Sequence, residues 1–484
     1  MAQAVPEHVF RQYDIRGIAE RGADVELTPA LAHDIARAYT AELGLTRPHI
    51  VVGRDNRPSS DQLAAAFVEG LVVAGCRVTD VGRVPTPLVW FFIAERQAQG
   101  GAAVTASHKS PDYNGMKLRR GQVPFVGDQI QRVCQRLERG DFAAGAGSVR
   151  RWSAEETVSG YLSAMAQVIS LRRPTGLERR RLRVVVDTGN GIASRTAPLL
   201  FDLVGCEVVA LAADWHAGLP PQPLDPNVPQ ELAPLAQAVQ KEGADLGVAI
   251  DPDGDRLGIV DEQGQVVPPD RYVVPLCREI LSRGPDDFVF DVRCSEALLG
   301  EVRRLGGRPH MSPCGYPNIL RGMAEHSAAL GAETTGHIFL RALTERIPAI
   351  KVPFDDALFA ALSLAERLAA SPQPLSAMLA DVPRYRSSPE FRVACPDDRK
   401  FGLVEAVKQR LGERFDIIDL DGVRFSLSEG WGLVRASNTG PELVIRYEAR
   451  EEETYQRLAS TIVDELRRFG YLSDSEVARI ACPP

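Results

Sequence analysis

Short apolar runs alternate with longer segments of helical period along most of this chain, and that alternation restricts its fold more than any other feature. His49-Ile50-Val51-Val52-Gly53 reads as a strand. Residues 61–74 follow, with Leu63, Phe67 and Leu71 at the four-residue spacing of a buried helix face. The pairing recurs at 182–186 with a helix near 194–204, at 246–250, and at 288–290 with a helix near 295–305. Strands apolar throughout and set between helices belong to sheets covered on both faces, so α/β units are predicted. Asp187, Asp251 and Asp291 each stand directly after such a strand. That is the carboxyl end, where open α/β sheets bind ligands. For Asp187 and Asp291 the simpler reading is an aspartate that starts a turn and caps the next helix.

With 484 residues the chain exceeds the size of one hydrophobic core, so three or four domains are expected. The boundaries suggested by composition divide it into 1–150, 151–256, 257–373 and 374–484. The Gly/Ala stretch 143–147 precedes Ser153-Ala154-Glu155-Glu156, a capping box that opens a helix and a new unit. The proline-dense segment 219–229 reads as an irregular loop, and Ser371-Pro372-Gln373-Pro374 as the linker to the last unit. That unit has candidate strands at 415–420, 423–427 and 443–447 and a helix over 452–469, an α+β pattern. A net charge of -8 argues against a general nucleic-acid binder. No apolar stretch reaches membrane-span length, and Met1 to Glu7 lacks the regions of a signal peptide. The eight cysteines are scattered without a C-x-x-C pair, which suits a reducing compartment; a cytoplasmic location is expected.

The sharpest chemical signal is Asp251-Pro252-Asp253-Gly254-Asp255-Arg256. Alternate carboxylates in a tight turn can converge on one cation, and all-oxygen ligation selects Mg²⁺, Ca²⁺ or Mn²⁺ over zinc. Glu262 falls at the twelfth position of an EF-hand count, but Arg256 stands where that loop requires Gly and an apolar strand precedes it. Arg256 suits phosphate beside a metal. Thr105-Ala106-Ser107-His108 sets a hydroxyl beside an imidazole in a polar turn, with Lys117 downstream as an acid/base or anion partner. No G-x-S-x-G elbow surrounds Ser107, so an acyl-transfer triad has little support. The segment 431–440 gathers Arg435, Ser437, Asn438 and Thr439 beside Gly440, an anion cradle if it is not simply a polar hairpin connection. Glu333-Thr334-Thr335-Gly336-His337 supplies a carboxylate, hydroxyls and an imidazole suited to sugar hydroxyls.

Together these motifs resemble the α-D-phosphohexomutases, most closely the bacterial phosphomannomutase/phosphoglucomutase branch. The resemblance runs from Phe10-Arg11-Gln12-Tyr13-Asp14-Ile15-Arg16-Gly17 to the helix after Tyr447. It implies four domains around a central cleft, three related α/β domains with mixed sheets and a C-terminal α+β domain. It implies that Ser107 carries a phosphoryl group and, with Asp251, Asp253 and Asp255, holds one Mg²⁺. Catalytic roles would fall to Ser107, His108, Lys117, Arg16, Arg256 and His337. Substrate contacts would fall to Tyr13, Arg293, Tyr316, Glu333, Thr335, His337, Arg435, Ser437, Asn438 and Thr439. The implied reaction moves phosphate between the 1- and 6-positions of a hexose, mannose or glucose, through a hexose 1,6-bisphosphate that also serves as activator. The implied partner is the hexose phosphate, with no nucleic acid or membrane, in a monomer or a dimer, and 371–374 is the candidate hinge.

Three departures stand out. His108-Lys109-Ser110 replaces the usual His-Asn-Pro, which predicts a looser phosphoserine loop. Cys314-Gly315-Tyr316-Pro317 stands for Thr-Gly-His-Ser, with Leu320 for a frequent Lys, although Tyr316 still donates a hydrogen bond. Thr334-Thr335 stands for Met-Ser. Two other readings stay open: a Mg²⁺-dependent sugar-phosphate phosphatase, and a non-catalytic sugar-phosphate-binding homologue.

Overall fold

A computed structural model describes residues 5–20, 24–170, 181–437 and 440–481. The chain forms two compact units, Met1–Glu279 with Ala329–Leu379, and Ile280–Ala328 with Ala380–Pro484. In the first unit a mixed sheet runs, in spatial order, Ile15–Ile18, Tyr113–Arg120, Gly100–Val104, His49–Arg54, Arg77–Arg83 and Ser148–Arg151. Its inner strands are parallel, but Gly100–Val104 pairs antiparallel with Tyr113–Arg120. The link between those two strands carries Ser107, and the second of them carries Lys117. Helix Ser60–Val73, one residue from the predicted start, buries Leu63, Phe67 and Leu71 in the core with Ile35 and Tyr39 of helix Pro29–Leu43. The stripe at i, i+4 and i+8 does what its spacing demands. Helix Thr86–Glu95 is apolar nearly all round and accordingly buried from Thr86 to Ala94.

A second sheet in this unit runs Val266–Val267, Leu257–Asp261, Leu246–Ile250, Arg183–Asp187 and Glu207–Leu211. Leu257–Asp261 turns back antiparallel on Leu246–Ile250, so residues 251–256 are a hairpin connection. The boundary expected at 256 therefore falls inside a hairpin, and the sheet continues to Val267. Backbone pairing overrode the punctuation signal of the Pro/Gly turn. The helix predicted near 194–204 is broken into a 3-10 turn, Ile192–Arg195, and a helix, Ala197–Leu203. Pro198 lacks the N–H that a continuous helix would use and so starts a new one. The capping box forms: Ser153 N donates to Glu156 at 2.8 Å and Glu156 N donates to Ser153 Oγ at 3.1 Å, opening helix Ala154–Ser170. A short hairpin, Leu330–Ala332 with Ile338–Leu340, frames residues 333–337. Residues 371–374, the candidate hinge, lie within this unit, and the chain passes to the second one at Ala380.

In the second unit Asp287–Asp291 pairs parallel with Arg308–Ser312, each followed by a helix, Glu296–Arg304 and Tyr316–His326. The C-terminal sheet runs Arg386–Ser387, Glu442–Ala449, Gly430–Ala436, Val423–Leu427 and Ile417–Ile418, with Phe391–Ala394 also on Glu442–Ala449. The strand predicted over 415–420 shrinks to two residues. The stretch 431–435, read as cradle or polar connection, is instead part of strand Gly430–Ala436. Its side chains alternate, Trp431 and Leu433 into one apolar cluster and Val434 and Ala436 into another, so both faces are covered. Two buried ionic groups bolt this sheet to the preceding α/β segment. Arg424 Nη1 donates to the carbonyls of Val292 at 2.6 Å and Cys294 at 3.1 Å. Glu448 Oε1 accepts from Ser295 Oγ at 2.9 Å, Glu296 N at 3.0 Å and Trp431 Nε1 at 3.2 Å.

Among the described residues every cysteine is buried and free, and no helix is long and apolar enough to cross a membrane. Gly191 is where the second sheet's first loop meets the hairpin: Ile192 N donates to Pro252 O at 2.8 Å, and a Cβ on Gly191 would lie 2.4 Å from Pro252 Cα. Gly191→Ala is accordingly expected to lose ~1–3 kcal/mol of stability by overpacking. Urea denaturation followed by tryptophan fluorescence reads this, and an unmoved midpoint would show that 251–256 yields freely.

Candidate active site

Thr105 Oγ1 accepts the Ser107 N–H at 2.9 Å and turns the chain out of strand Gly100–Val104. Ser107 adopts a left-handed backbone, φ 52°, uncommon without glycine and sustained only by its surroundings. Its side chain is 1% exposed, and Oγ donates to Asp251 Oδ2 at 2.7 Å, with His108 Nδ1 3.3 Å away. The early hydroxyl and the acidic hairpin therefore meet. Asp251 Oδ1 also accepts the N–H groups of Gly254, Asp255 and Arg256 at 3.0–3.1 Å, which folds the hairpin around its own first carboxylate.

Asp251, Asp253 and Asp255 are fully buried, and one oxygen from each lies within 4.8 Å of the others. Three buried like charges demand compensation. Lys117 Nζ meets Asp253 Oδ2 at 2.8 Å and also binds Asp255 Oδ2, and Thr86 Oγ1 donates to Asp253 Oδ2 at 2.8 Å. Oδ1 of Asp253 and Oδ1 of Asp255 are buried with no hydrogen-bond partner. Orphan carboxylate oxygens beside an all-oxygen donor set are what a hard divalent cation takes, so the triad can hold a metal ion. Burial, reinforced by Asp253 and Asp255, pushes the Asp251 carboxyl well above its ordinary range. Burial pushes Asp253 the same way, but the Lys117 ammonium together with hydrogen bonds from Asp251 and Thr86 outweighs it and holds that carboxyl down. Lys117 is in turn raised, its own desolvation overcome by the three aspartates and Asp355.

His337 follows the turn at Gly336, where a φ of 85° and the nearness of Leu257 O, which a Cβ would approach to 2.6 Å, exclude any larger residue. Gly336 O accepts Leu257 N at 3.0 Å, which pins 333–337 to the end of the acidic hairpin. His337 Nδ1 lies 2.9 Å from Asp355 Oδ2, and Arg256 Nε donates to His337 Nε2 at 3.1 Å. Burial lowers the imidazole pKa, while Asp255 and Asp355 raise it further than that, which favours the cation. The hydrogen bonds point the other way: Nε2 must keep its lone pair to accept from Arg256. We therefore assign the neutral ring with its hydrogen on Nδ1, toward Asp355, an assignment inferred from the partners. Asp255, His337 and Asp355 also group as possible ligands, but Nδ1–H faces inward there and is a donor.

His108 is held neutral, well below its usual pKa, first by burial and then by the charges of Arg256, Arg16, Lys109 and Lys117. Four cations thus surround the Ser107 turn. Arg16 stands on Ile15–Ile18, opposite Gly115 of the Lys117 strand, and bonds Asp14 at 2.5 Å; Tyr13 is half-buried just before it. Glu333 is buried and accepts from Thr335 Oγ1 at 3.4 Å. The proline-dense loop adds Asp225, 3.8 Å from both His108 Nε2 and Arg256 Nη1, and Asn227, whose Nδ2 donates to Thr335 O at 3.1 Å.

The other predicted residues lie in the second unit. Arg435 Nε donates to Asp421 Oδ2 at 2.9 Å, and the same oxygen accepts Cys314 N at 2.9 Å. Tyr316 begins helix Tyr316–His326 behind Gly315, φ 112°. Arg293 bonds Asp291 through Nε (3.2 Å) and Nη2 (2.9 Å), and Nη1 reaches Glu390 at 3.3 Å. Arg293 is close enough to Arg435 for their charges to repel. Ser437 directly follows the strand of Arg435, and buried Lys400 donates from Nζ to Ser437 O at 2.7 Å and Gly440 O at 2.9 Å. Asn438 and Thr439 lie outside the described residues.

Sequence reasoning missed Asp355, Asp225, Asp421, Lys400 and Arg57. Asp355 and Asp356 together look like a helix cap; Asp356 does that work, accepting Phe359 N at 3.0 Å, and so leaves Asp355 to His337. Asp187 starts the turn, its Oδ1 accepting Gly189 N at 2.9 Å, but caps no helix, since Gly191 and Thr196 precede the next ones. Asp291 likewise starts a turn and also holds Arg293, while Ser295 caps the helix.

Fold and site define a multidomain α/β protein built around a buried hydroxyl beside a carboxylate triad. Four family profiles match in order: phosphoglucomutase/phosphomannomutase alpha/beta/alpha domain I over residues 7–144, domain II over 159–264, domain III over 268–385 and the C-terminal domain over 390–465. A phosphomannomutase/phosphoglucomutase of Pseudomonas aeruginosa is 37% identical over 470 residues, 96% of this chain and 97% of that one. A phosphoglucomutase of Neisseria meningitidis is 34% identical over 464 residues, 94% and 95% of the two chains. The crystal structure of a phosphoglucomutase/phosphomannomutase family protein from Burkholderia thailandensis superimposes with a TM-score of 0.84 at 31% identity, covering 96% of this chain and 98% of that one. The chain belongs to the phosphoglucomutase/phosphomannomutase family.

Burial raises Asp187 to about 6 from 3.8, with the Gly189 N–H opposing it. The folded state then keeps a proton that the unfolded chain has lost, so this residue's contribution to stability falls as pH climbs from near the unfolded value to about 6. Asp187→Asn keeps an acceptor for Gly189 N and does not ionise. It is expected to melt at a higher temperature than the parent at ~pH 7.5 and at an equal one at ~pH 4. Equal melting at both would refute the burial argument.

Proposed function

We propose that this protein is a phosphohexomutase acting on mannose and glucose phosphates, the substrates named in its relatives. The observation that carries the reading is Ser107 Oγ, buried in a left-handed turn 2.7 Å from Asp251 of the triad. Ser107 is the residue that carries the phosphoryl group. In the forward step the O–P bond to Ser107 breaks, the free 1- or 6-hydroxyl of the sugar takes the phosphorus, and a bisphosphate results. The sugar then presents its other phosphate, whose ester bond breaks as Ser107 Oγ forms the new one.

Mg²⁺ held by Asp251, Asp253, Asp255 and an oxygen at Ser107 would supply charge neutralisation to the transferring group. Phosphoserine brings roughly two negative charges at neutral pH, so with three aspartates the site stays anionic beyond one divalent ion. Lys117, Arg16 and Arg256 offset the remainder. Lys117, which arrives protonated, is the acid toward the departing oxygen, and His337, neutral and oriented by Asp355, is a base once Arg256 turns to phosphate. His108 stays neutral and supports the turn. Glu333 and Thr335 accept and donate to sugar hydroxyls, with Tyr13 beside the Arg16 strand. Arg293, Tyr316, Arg435, Ser437, Asn438 and Thr439, all of the second unit's sequence, are proposed as donors to a sugar phosphate.

A coupled assay with mannose 1-phosphate and glucose 1-phosphate, primed by glucose 1,6-bisphosphate, tests the reading. Ser107→Ala is expected to lose nearly all turnover, and retention of parental activity would reject Ser107 as the carrier. Asp253→Asn is expected to raise the Mg²⁺ concentration needed for half-maximal rate by at least ~10-fold; an unchanged requirement would remove the triad from metal binding. Phosphate release without isomer would mark a phosphatase instead.

A further inference from the structure

The loop that carries Ser107 has Ser110 where a proline was expected, one residue before Pro111, and it is tied from beneath by a single side chain. The tie is Arg57, a residue no motif singled out. It follows strand His49–Arg54, whose next residue, Asp55, anchors to the end of strand Gly100–Val104 by donating its N–H to Val104 O at 3.1 Å. Asp55 Oδ2 accepts Arg57 Nε at 3.1 Å, and Oδ1 accepts Arg57 N at 3.0 Å and Ser60 Oγ at 2.5 Å. The guanidinium, 0% exposed, then directs its remaining donors to the loop alone. Nη2 donates to Ser107 O at 2.5 Å and Lys109 O at 2.6 Å, and Nη1 donates to Ser110 O at 2.6 Å and Tyr113 O at 3.0 Å.

A guanidinium has five N–H groups in a planar fork, and here all five are used. Four carbonyls across a seven-residue span are gathered on one rigid plane, which no other side chain can do; a lysine offers three donors on a point charge. The grip begins at the carbonyl of Ser107 itself, so it fixes the peptide plane that follows the residue with positive φ. Asn114 Nδ2 closes the far end, donating to Ser59 and Ser60 Oγ at 2.9 Å each. A peptide left to relax from φ 52° would swing Oγ away from Asp251.

We propose that Arg57, held by Asp55, is the positioning residue of the phosphoryl-carrying loop: its carbonyl grip keeps Ser107 in the left-handed conformation that aims Oγ at the triad, before and after phosphoryl transfer. The proposal rests on Ser107 being the carrier. Misaiming a reacting atom lowers turnover far more than ground-state binding. Arg57→Lys is therefore expected to reduce kcat with glucose 1-phosphate ~100-fold while KM changes less than ~3-fold. Phosphorylation of Ser107 by glucose 1,6-bisphosphate, followed by intact mass, should slow in parallel. Mg²⁺ affinity by calorimetry should fall far less than kcat, because Arg57 touches none of the three aspartates. Added ethylguanidine should restore part of the lost kcat in Arg57→Ala, which general loosening of the fold would not allow. Parental kcat in Arg57→Lys, or losses shared equally by kcat, KM and Mg²⁺ affinity, would overturn the proposal. Should the Arg57 variants not fold, Asp55→Asn carries the test, with a smaller kcat-only loss of ~10-fold expected and parental kinetics overturning it. Ser107→Ala is measured alongside: if it remains active the carrier assignment itself has failed, and if it is dead while Arg57→Lys is normal only the positioning role has.

Discussion

Three aspartates buried within five residues are an electrostatic debt that this architecture is arranged to settle. Left alone in a low-dielectric interior, Asp251, Asp253 and Asp255 would protonate or unfold the hairpin. Backbone N–H groups satisfy one oxygen of Asp251, the Ser107 hydroxyl takes the other, and Lys117 comes in from a neighbouring sheet to bind Asp253 and Asp255. Each compensating group arrives from a different part of the chain. Sheet order, hairpin and loop are thereby fixed together.

A second theme is the use of buried cations as collectors of carbonyls. Arg57 gathers four from the Ser107 loop, Lys400 takes those of Ser437 and Gly440 below the Arg435 strand, and Arg424 takes those of Val292 and Cys294. Irregular loops leave backbone acceptors unpaired. A long cationic side chain satisfies several of them at once. Conversely, Asp355, Asp421 and Asp291 each hold an imidazole or a guanidinium in place, those of His337, Arg435 and Arg293. His337, Arg435 and Arg293 are thus each oriented by a carboxylate that accepts their N–H groups.

Much of this was legible beforehand, though unevenly. Leu63, Phe67 and Leu71 announced their helix because periodicity is a local property, and the alternating aspartates announced a cation because ligand chemistry is local too. The stretch 431–435 misled because Arg435 and the following Ser437 suggested a loop, whereas Trp431, Leu433, Val434 and Ala436 found apolar cover on both faces and made a strand. The boundary at 256 failed for a related reason: Leu257–Asp261 pairs backward, a choice made by hydrogen bonds to Leu246–Ile250. Asp355 and Arg57 gave no sign, since an aspartate before a helix and an arginine after a strand are ordinary residues until their partners are known.

The amino-acid sequence by itself determined the α/β character, the hydroxyl, the carboxylates and the family, because periodicity, side-chain chemistry and ordered motifs are written along the chain. Only the tertiary structure decided that Ser107 faces Asp251, that Lys117 rather than another cation neutralises the triad, and that Arg57 gathers four carbonyls of the Ser107 loop. Those are contacts between residues tens to hundreds of positions apart. Their selection depends on sheet order and loop geometry, which no local pattern encodes.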